Sequence, residues 1–284
     1  MSAPPLNQPL SRPDPTLPVG MFDSGVGGFT VFRELKKVLP NEPVVYYGDT
    51  ANIPYGDRDP RLIRKWAKNI LAFLLQKNVK AIAIACNISS SVLTAEDLAQ
   101  VPVPVFGLVY NGAAAALQAT KNSRIGVIAT AATVETGSYV RTIRSFNPRA
   151  EVTQSACPKF VPFTESGVFN GNEVDKAVRE YIAPLKEKGV DTVIYGCTHY
   201  PLLEQAITKH LDGVQMIDPA VEIVEELAAY LHTNDLLHSA TRQDDMIYAS
   251  DLNEHFFSTA ELFLHRDIRP LTQEVKLNLP EQKA

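Results

Sequence analysis

The 284-residue chain has room for one large domain or two of ordinary size, and its 45% hydrophobic and 21% charged residues are typical of a globular protein. A net charge of −5, with no stripe of lysine and arginine interleaved with aromatics, excludes an electrostatic case for nucleic acid; no apolar run is long enough to span a bilayer. Three scattered cysteines, Cys86, Cys157 and Cys197, exclude a disulfide framework and point to a reducing cytoplasm, where thiols stay available for chemistry.

Residues 1–17 are rich in proline and polar side chains and lack a hydrophobic core, so they read as a disordered leader and not as a signal peptide. From residue 18 onward short apolar runs alternate with amphipathic stretches. A first series of strands is expected at 18–22, 43–48, 80–85 and 103–108, and a second at 124–129, 150–155, 191–196 and 214–218. Helical patterns fall at 30–39, 60–77, 132–146, 172–187 and 201–211. A long helix at about 219–231, a strand at 245–250 and a helix at 255–264 follow. Apolar strands alternating with helices predict an α/β fold whose parallel sheets are covered on both faces. A crossing near 110–112 divides the chain into a first α/β domain, 18–109 plus about 219–270, and a second, 110–218; residues 271–284 read as a loose C-terminus.

The two strand series look like one pattern used twice. Cys86 lies 63 residues beyond Asp23, and Cys197 lies 67 residues beyond Thr130; each thiol falls just past the end of an equivalent strand. Ligands bind at the carboxyl ends of parallel strands, so two such halves face to face would put two thiols on opposite walls of one cleft. Chance self-similarity of α/β units is the alternative, since no short fixed period is present.

The loop DSGVGG (23–28) stands between a strand and a helix. It fails G-x-G-x-x-G at Thr30 and lacks G-K-[ST], so nucleotide binding is not indicated. What remains is a tight turn exposing backbone N–H groups, with Asp23 and Ser24 at the strand tip; Asp23 is also an ordinary turn or capping residue. Gly56, after Tyr55, would allow close backbone approach to a ligand. A single cysteine in an apolar strand is more often structural than reactive. Cys86 and Cys197, however, precede polar side chains: Asn87 and Ser89 in one case, Thr198 and His199 in the other. A reactive thiolate needs such donors. Cys157 lacks that setting and reads as structural. A Cys197–His199 hydrolase dyad would draw both partners from one short segment and leave Cys86 without a role. Metal binding lacks the CxxC or HxxxH spacing it requires. Two facing thiols suit two-base racemisation, in which one takes a proton from a stereocentre and the other returns one to the opposite face.

The segments FDSGVGGFTV, YYGDTANIPYG, IACN, GVIATAATVETGSY, CPKFVPFTESG and YGCTHYPLL, in this order over about 18–220, resemble glutamate racemase of the cofactor-independent aspartate/glutamate racemase superfamily. The resemblance implies two pseudo-symmetric α/β domains, each a mainly parallel sheet flanked by helices, with the active site in the cleft between them. It implies Cys86 exchanging the proton of D-glutamate and Cys197 that of L-glutamate, with Asp23, Glu165 and His199 assisting. Glutamate contacts would come from Asp23, Ser24, Tyr55, Gly56, Asn87, Thr130, Thr133, Thr198 and His199, with Ile88 beside them. It further implies no cofactor, no metal, a homodimer, and D-glutamate destined for peptidoglycan. The sequence departs from the pattern at Ile88, where threonine is usual, and at Tyr110-Asn111-Gly112, where many relatives carry Glu-Pro-Gly. Losing a hydroxyl that bonds a buried carboxylate costs about 1–3 kcal/mol unless Ser89 or Ser90 replaces it. A relative acting on aspartate or another acid, or a binding protein that keeps the cleft without catalysis, remains the alternative reading.

Overall fold

The computed structural model describes residues 14–238 and 244–277; the leader expected at 1–17 lies outside the described residues up to position 13. Among the described residues, ten strands form two wholly parallel sheets. They are β1 (Val19–Asp23), β2 (Val44–Gly48), β3 (Ala81–Ile84), β4 (Val105–Gly107), β5 (Arg124–Ala129), β6 (Glu151–Ala156), β7 (Thr192–Gly196), β8 (Gln215–Ile217), β9 (Met246–Ala249) and β10 (Thr272–Glu274). The six-stranded sheet has the order β10-β9-β2-β1-β3-β4 and the four-stranded sheet β6-β5-β7-β8. Four strands of the first sheet therefore repeat the whole of the second, β1 matching β5 and β3 matching β7. The two halves share one winding pattern, and the larger adds β9 and β10 on its β2 edge.

Continuous apolar runs give strands that are buried along their length, as in β1, β2, β3 and β7. Such strands need a helix layer on each face. Side chains alternate along β1, so Val19 and Met21 join a core with α1 (Phe29–Val38) while Phe22 joins one with α2 (Pro60–Gln76) on the other face. The short α3 (Asn87–Val92) and α4 (Ala95–Ala99) follow β3. In the second half α6 (Ala131–Thr136) and α7 (Ser138–Phe146) are separate helices, where one pattern over 132–146 was expected. Gly137, at φ +60°, takes the left-handed conformation that breaks them apart. Next come α8 (Phe160–Glu165), α9 (Asn172–Glu187) and α10 (Glu204–Thr208), then α11 (Pro219–Thr233) and α12 (Glu254–Leu264).

The crossing expected near 110–112 falls inside a helix, α5 (Leu108–Ala119), which runs directly out of β4. Its sequence is mostly small residues with no apolar stripe of period 3.6, so the pattern is silent. Packing between α11, α7 and β7 forms the helix instead. Gly112 is there because Pro219 approaches; an added Cβ would lie 2.8 Å from the proline ring. The segment expected to be loose from 271 holds the strand β10 among its described residues. Thr272–Glu274 pairs in parallel with β9, and Tyr47 Oη donates to Val275 O at 2.9 Å.

The chain before β1 is held from inside. Lys80, at the entrance to β3, is fully buried; its Nζ is paired with Glu42 and donates to Pro15 O at 2.8 Å and Leu236 O at 2.7 Å. The Glu42 carboxylate also accepts the His238 N–H at 3.1 Å. Burial pushes the Lys80 ammonium down from its usual range, and only its acceptors oppose that. Removing one member of such a pair strands the other charge. Lys80→Met is therefore expected to lower unfolding free energy by about 3–5 kcal/mol, read from urea midpoints, and Lys80→Met/Glu42→Gln to recover part of the loss.

Candidate active site

In each sheet the winding reverses beside its first strand, at β1/β3 and at β5/β7, and a crevice opens beyond the carboxyl ends at such a point. Asp23 ends β1, and Cys86 lies two residues past β3. In the other sheet Thr130 follows β5 and Cys197 follows β7. The two crevices face one another and merge into one cavity of about 530 Å³. Every expected site residue lines it: Asp23, Ser24, Tyr55, Gly56, Cys86, Asn87 and Ile88 from the first half, Thr130, Thr133, Glu165, Cys197, Thr198 and His199 from the second.

On the first wall, Cys86 caps the N-terminus of α3 and is a free, buried thiol. Burial, then the charge of Asp23, pushes that thiol up to about 12; the Ser89 hydroxyl and amide and the Ser24 amide oppose the shift. Asp23 serves its own loop: Oδ2 accepts the N–H groups of Gly25 at 3.2 Å and Gly28 at 2.8 Å. Gly28 has room for no side chain, since a Cβ would lie 2.6 Å from both Asp23 Cβ and Tyr46 Oη. The turn role and the place beside Cys86 therefore belong to the same carboxylate. Ser24 Oγ lies 3.5 Å from Asp23 Oδ1.

Tyr55 contributes its ring and backbone, because its hydroxyl donates to Asp49 Oδ2 at 2.6 Å and the ring stacks on Trp66. Gly56 faces Thr130, and an added Cβ would lie 3.6 Å from Thr130 Cβ, an ordinary packing distance. Asn87 Oδ1 accepts the Tyr139 hydroxyl at 2.7 Å, which leaves the amide N–H groups as its remaining polar function. Ile88 packs in an apolar cluster with Tyr55, Ile63, Trp66, Cys86 and Ala132.

The second wall carries a chain of titratable groups. Cys197 Sγ is 3.7 Å from His199 Nδ1, and His199 Nε2 is 3.0 Å from Glu165 Oε1. Glu165 Oε2 is in turn 3.7 Å from His255 Nε2. Burial pulls the His199 imidazole down, but its bonds to Cys197 and Glu165 outweigh that and push it up to about 10. Glu165 moves the other way: burial raises it, and His199 and His255 together hold it below the usual carboxylate range. Thr130 caps α6 by accepting the Thr133 N–H at 3.4 Å, and its hydroxyl pairs with that of Thr133 at 3.1 Å.

The halves meet through the same segments that carry the chemistry. Thr30 Oγ1 donates to Thr198 O at 3.1 Å, as Tyr139 Oη does to Asn87 in the reverse sense. Gly27 sits so close to the second wall that a Cβ would lie 2.5 Å from Thr198 Oγ1 and His199 Cε1.

Two titratable residues of the cavity wall, Cys157 and His255, escape the sequence reading. Cys157, read as structural, is fully buried with Sγ 3.6 Å from Ser155 O, yet it lines the cavity. Burial, then the charge of Cys197, pushes its thiol up. Its place just past β6 was a usable signal. His255 had none, because it arrives on α12 from the far end of the chain. Among the described residues, no group of three or more His, Cys, Asp or Glu is placed to hold a metal ion, and no helix is long and apolar enough to cross a membrane.

A family model described as Asp/Glu/hydantoin racemase matches residues 29–227. "Glutamate racemase 2" of Caldanaerobacter subterraneus subsp. tengcongensis is 42% identical over 252 residues, spanning 88% of this chain and 94% of its own. The glutamate racemase of Gloeobacter violaceus is 46% identical over 214 residues, 75% and 80% of the two chains. Among solved structures, glutamate racemase from Francisella tularensis in complex with D-glutamate superposes with a TM-score of 0.87 at 34% identity, over 93% of this chain and 99% of that one. The Thermus thermophilus glutamate racemase gives 0.83 at 37% identity, over 93% and 98%. With a shared fold and sequence identity along most of its length, the chain belongs to the Asp/Glu/hydantoin racemase family of isomerases.

Proposed function

We propose that this chain interconverts L- and D-glutamate by two-base proton transfer at Cα, with Cys86 and Cys197 as the bases. The observation that carries the reading is one cavity entered from opposite sheets by two free thiols at equivalent strand ends. Relatives named glutamate racemase support the choice of substrate.

The chemistry is demanding because an amino-acid Cα–H is a very weak acid and no imine is offered as an electron sink. In the L to D direction Cys197, as thiolate, takes the Cα proton, and the electron pair of the broken C–H bond stays on carbon. Cys86 then gives its S–H proton to the opposite face, which leaves a Cys86 thiolate and a Cys197 thiol; the reverse reaction restores both. Donors aimed at the α-carboxylate stabilise the charge that develops there, a role for the Asn87 amide and the Ser24, Thr133 and Thr198 hydroxyls. The walls are unequal. Cys86 rests protonated near neutral pH, ready to act as acid. Cys197 has a protonated imidazole at 3.7 Å that offsets the charge its sulfur carries. Glu165 keeps that ring oriented and charged. On this reading the protein works in the cytoplasm as a homodimer, and its D-glutamate feeds peptidoglycan.

A second reading concerns the substrate. Ile88 places an aliphatic side chain in the cavity wall where the family resemblance implies a threonine hydroxyl, which favours a different acid such as aspartate. Chiral chromatography over a panel of acidic amino acids separates the two.

The deciding experiment is incubation with each glutamate enantiomer in D2O. Deuterium should appear at Cα while optical rotation decays to zero; exchange of neither enantiomer at high enzyme concentration overturns the proposal, and thermal stabilisation by glutamate alone would mark a binding protein. Cys86→Ala and Cys197→Ala should each reduce turnover by at least about 10²–10⁴-fold, and one fully active variant sinks the two-base mechanism. His199 binds a proton more tightly folded than unfolded. Its contribution to stability is therefore complete below about pH 6.5 and lost as pH rises toward about 10. Unfolding free energy should fall over that window, and His199→Gln should flatten the slope. Ile88→Thr should lower KM for glutamate by about tenfold if the missing hydroxyl limits binding; an unchanged KM would show that Ile88 contributes only its backbone.

A further inference from the structure

Three consecutive serines follow Asn87 and Ile88, and their hydroxyls have different surroundings. Ser91 Oγ donates to Asn87 O at 2.8 Å and accepts from Ser138 Oγ at 2.8 Å, so it ties α3 to α7. Ser90 Oγ accepts the Val109 N–H at 3.3 Å, where α5 begins. Ser89 is 0% exposed, and its Oγ has no hydrogen-bond partner at all.

An unpartnered hydroxyl in a dry interior is costly, and folded proteins seldom keep one without a use. Ser89 stands three residues into α3, whose N-cap is Cys86; in that relationship the third residue of a helix faces the capping side chain. The Ser89 hydroxyl and amide both favour the anionic form of the Cys86 sulfur. Beyond these and the Ser24 amide, that sulfur's surroundings offer its anion no help: the Asp23 charge opposes it, the Tyr46 and Tyr55 rings are buried neighbours, and Ile88 is aliphatic.

We propose that the Ser89 hydroxyl is the positioning donor of Cys86, idle while the thiol holds its proton and donating to Sγ once that proton has moved to substrate. The bond would hold the thiolate aimed into the cavity and offset the burial that opposes its charge. Ser89 acts through Cys86 and touches no reacting carbon. The inference rests on the two-thiol reading for its catalytic consequence, but not for the contact itself.

The test uses the full-length protein and its Ser89→Ala and Ser90→Ala variants, with iodoacetamide alkylation of Cys86 followed by peptide mass spectrometry across pH. Ser89→Ala should slow alkylation of Cys86 about tenfold at pH 8 and move the profile to higher pH, leaving the melting temperature unchanged or raised. Ser90→Ala should leave the profile in place. Turnover of D-glutamate, where Cys86 is the base, should fall about tenfold with KM unchanged. An unmoved alkylation profile overturns the inference whatever the racemisation assay shows. So does an equal shift in Ser90→Ala, or a lowered melting temperature with equal losses for both enantiomers, which marks a purely structural hydroxyl. A shifted profile in a protein that exchanges neither enantiomer upholds the contact and sinks the catalytic reading instead.

Discussion

Gly27 lies against Thr198 and His199 with no side chain between them, and the site depends on that approach. A parallel sheet offers a crevice at the carboxyl ends of its strands, and each half of this chain builds one, with Cys86 past β3 in the first and Cys197 past β7 in the second. One crevice is half an active site. Seating the 23–28 loop on the second wall, with the Thr30 to Thr198 hydrogen bond beside it, joins two crevices into one cavity. The Tyr139 to Asn87 bond does the same from the other side, so the two halves clasp each other through the residues adjoining their own cysteines.

The clasp explains why the walls differ despite a common winding. The first half presents Cys86 beside a carboxylate, in surroundings that keep the thiol protonated. The second presents Cys197 beside an imidazole whose charge is maintained by Glu165. In the proposed two-thiol reaction the proton removed from one face and the proton delivered to the other are separate, so thiols in unlike surroundings can serve opposite faces. His255 extends the second chain to the rim: its side chain is 60% exposed, so the line of groups from Cys197 ends near solvent.

Much of the architecture was legible because parallel strands buried on both faces are written as continuous apolar runs, as in β1, β2, β3 and β7. The site was legible because both thiols are followed by polar residues where a core strand would ordinarily end. The misses have physical causes. Helix α5 is built from small residues with no stripe to betray it. Strand β10 is three mostly polar residues that need β9 already in place. Gly137 breaks a helix that periodicity alone would continue. Asp23 illustrates a different limit: turn residue and site residue looked like rival readings, and one carboxylate fills both positions.

The sequence by itself determined the α/β class, the doubled strand pattern and the chemistry available, because burial and spacing are written in residue type and order. Only the tertiary structure decided which hydroxyls are spent and which are free. Ser90 and Ser91 are consumed in holding helices together, the Tyr55 hydroxyl is turned to Asp49, and Ser89 is left beside Cys86. A hydroxyl's partner depends on which segments pack around it, and those segments come from far apart in the chain.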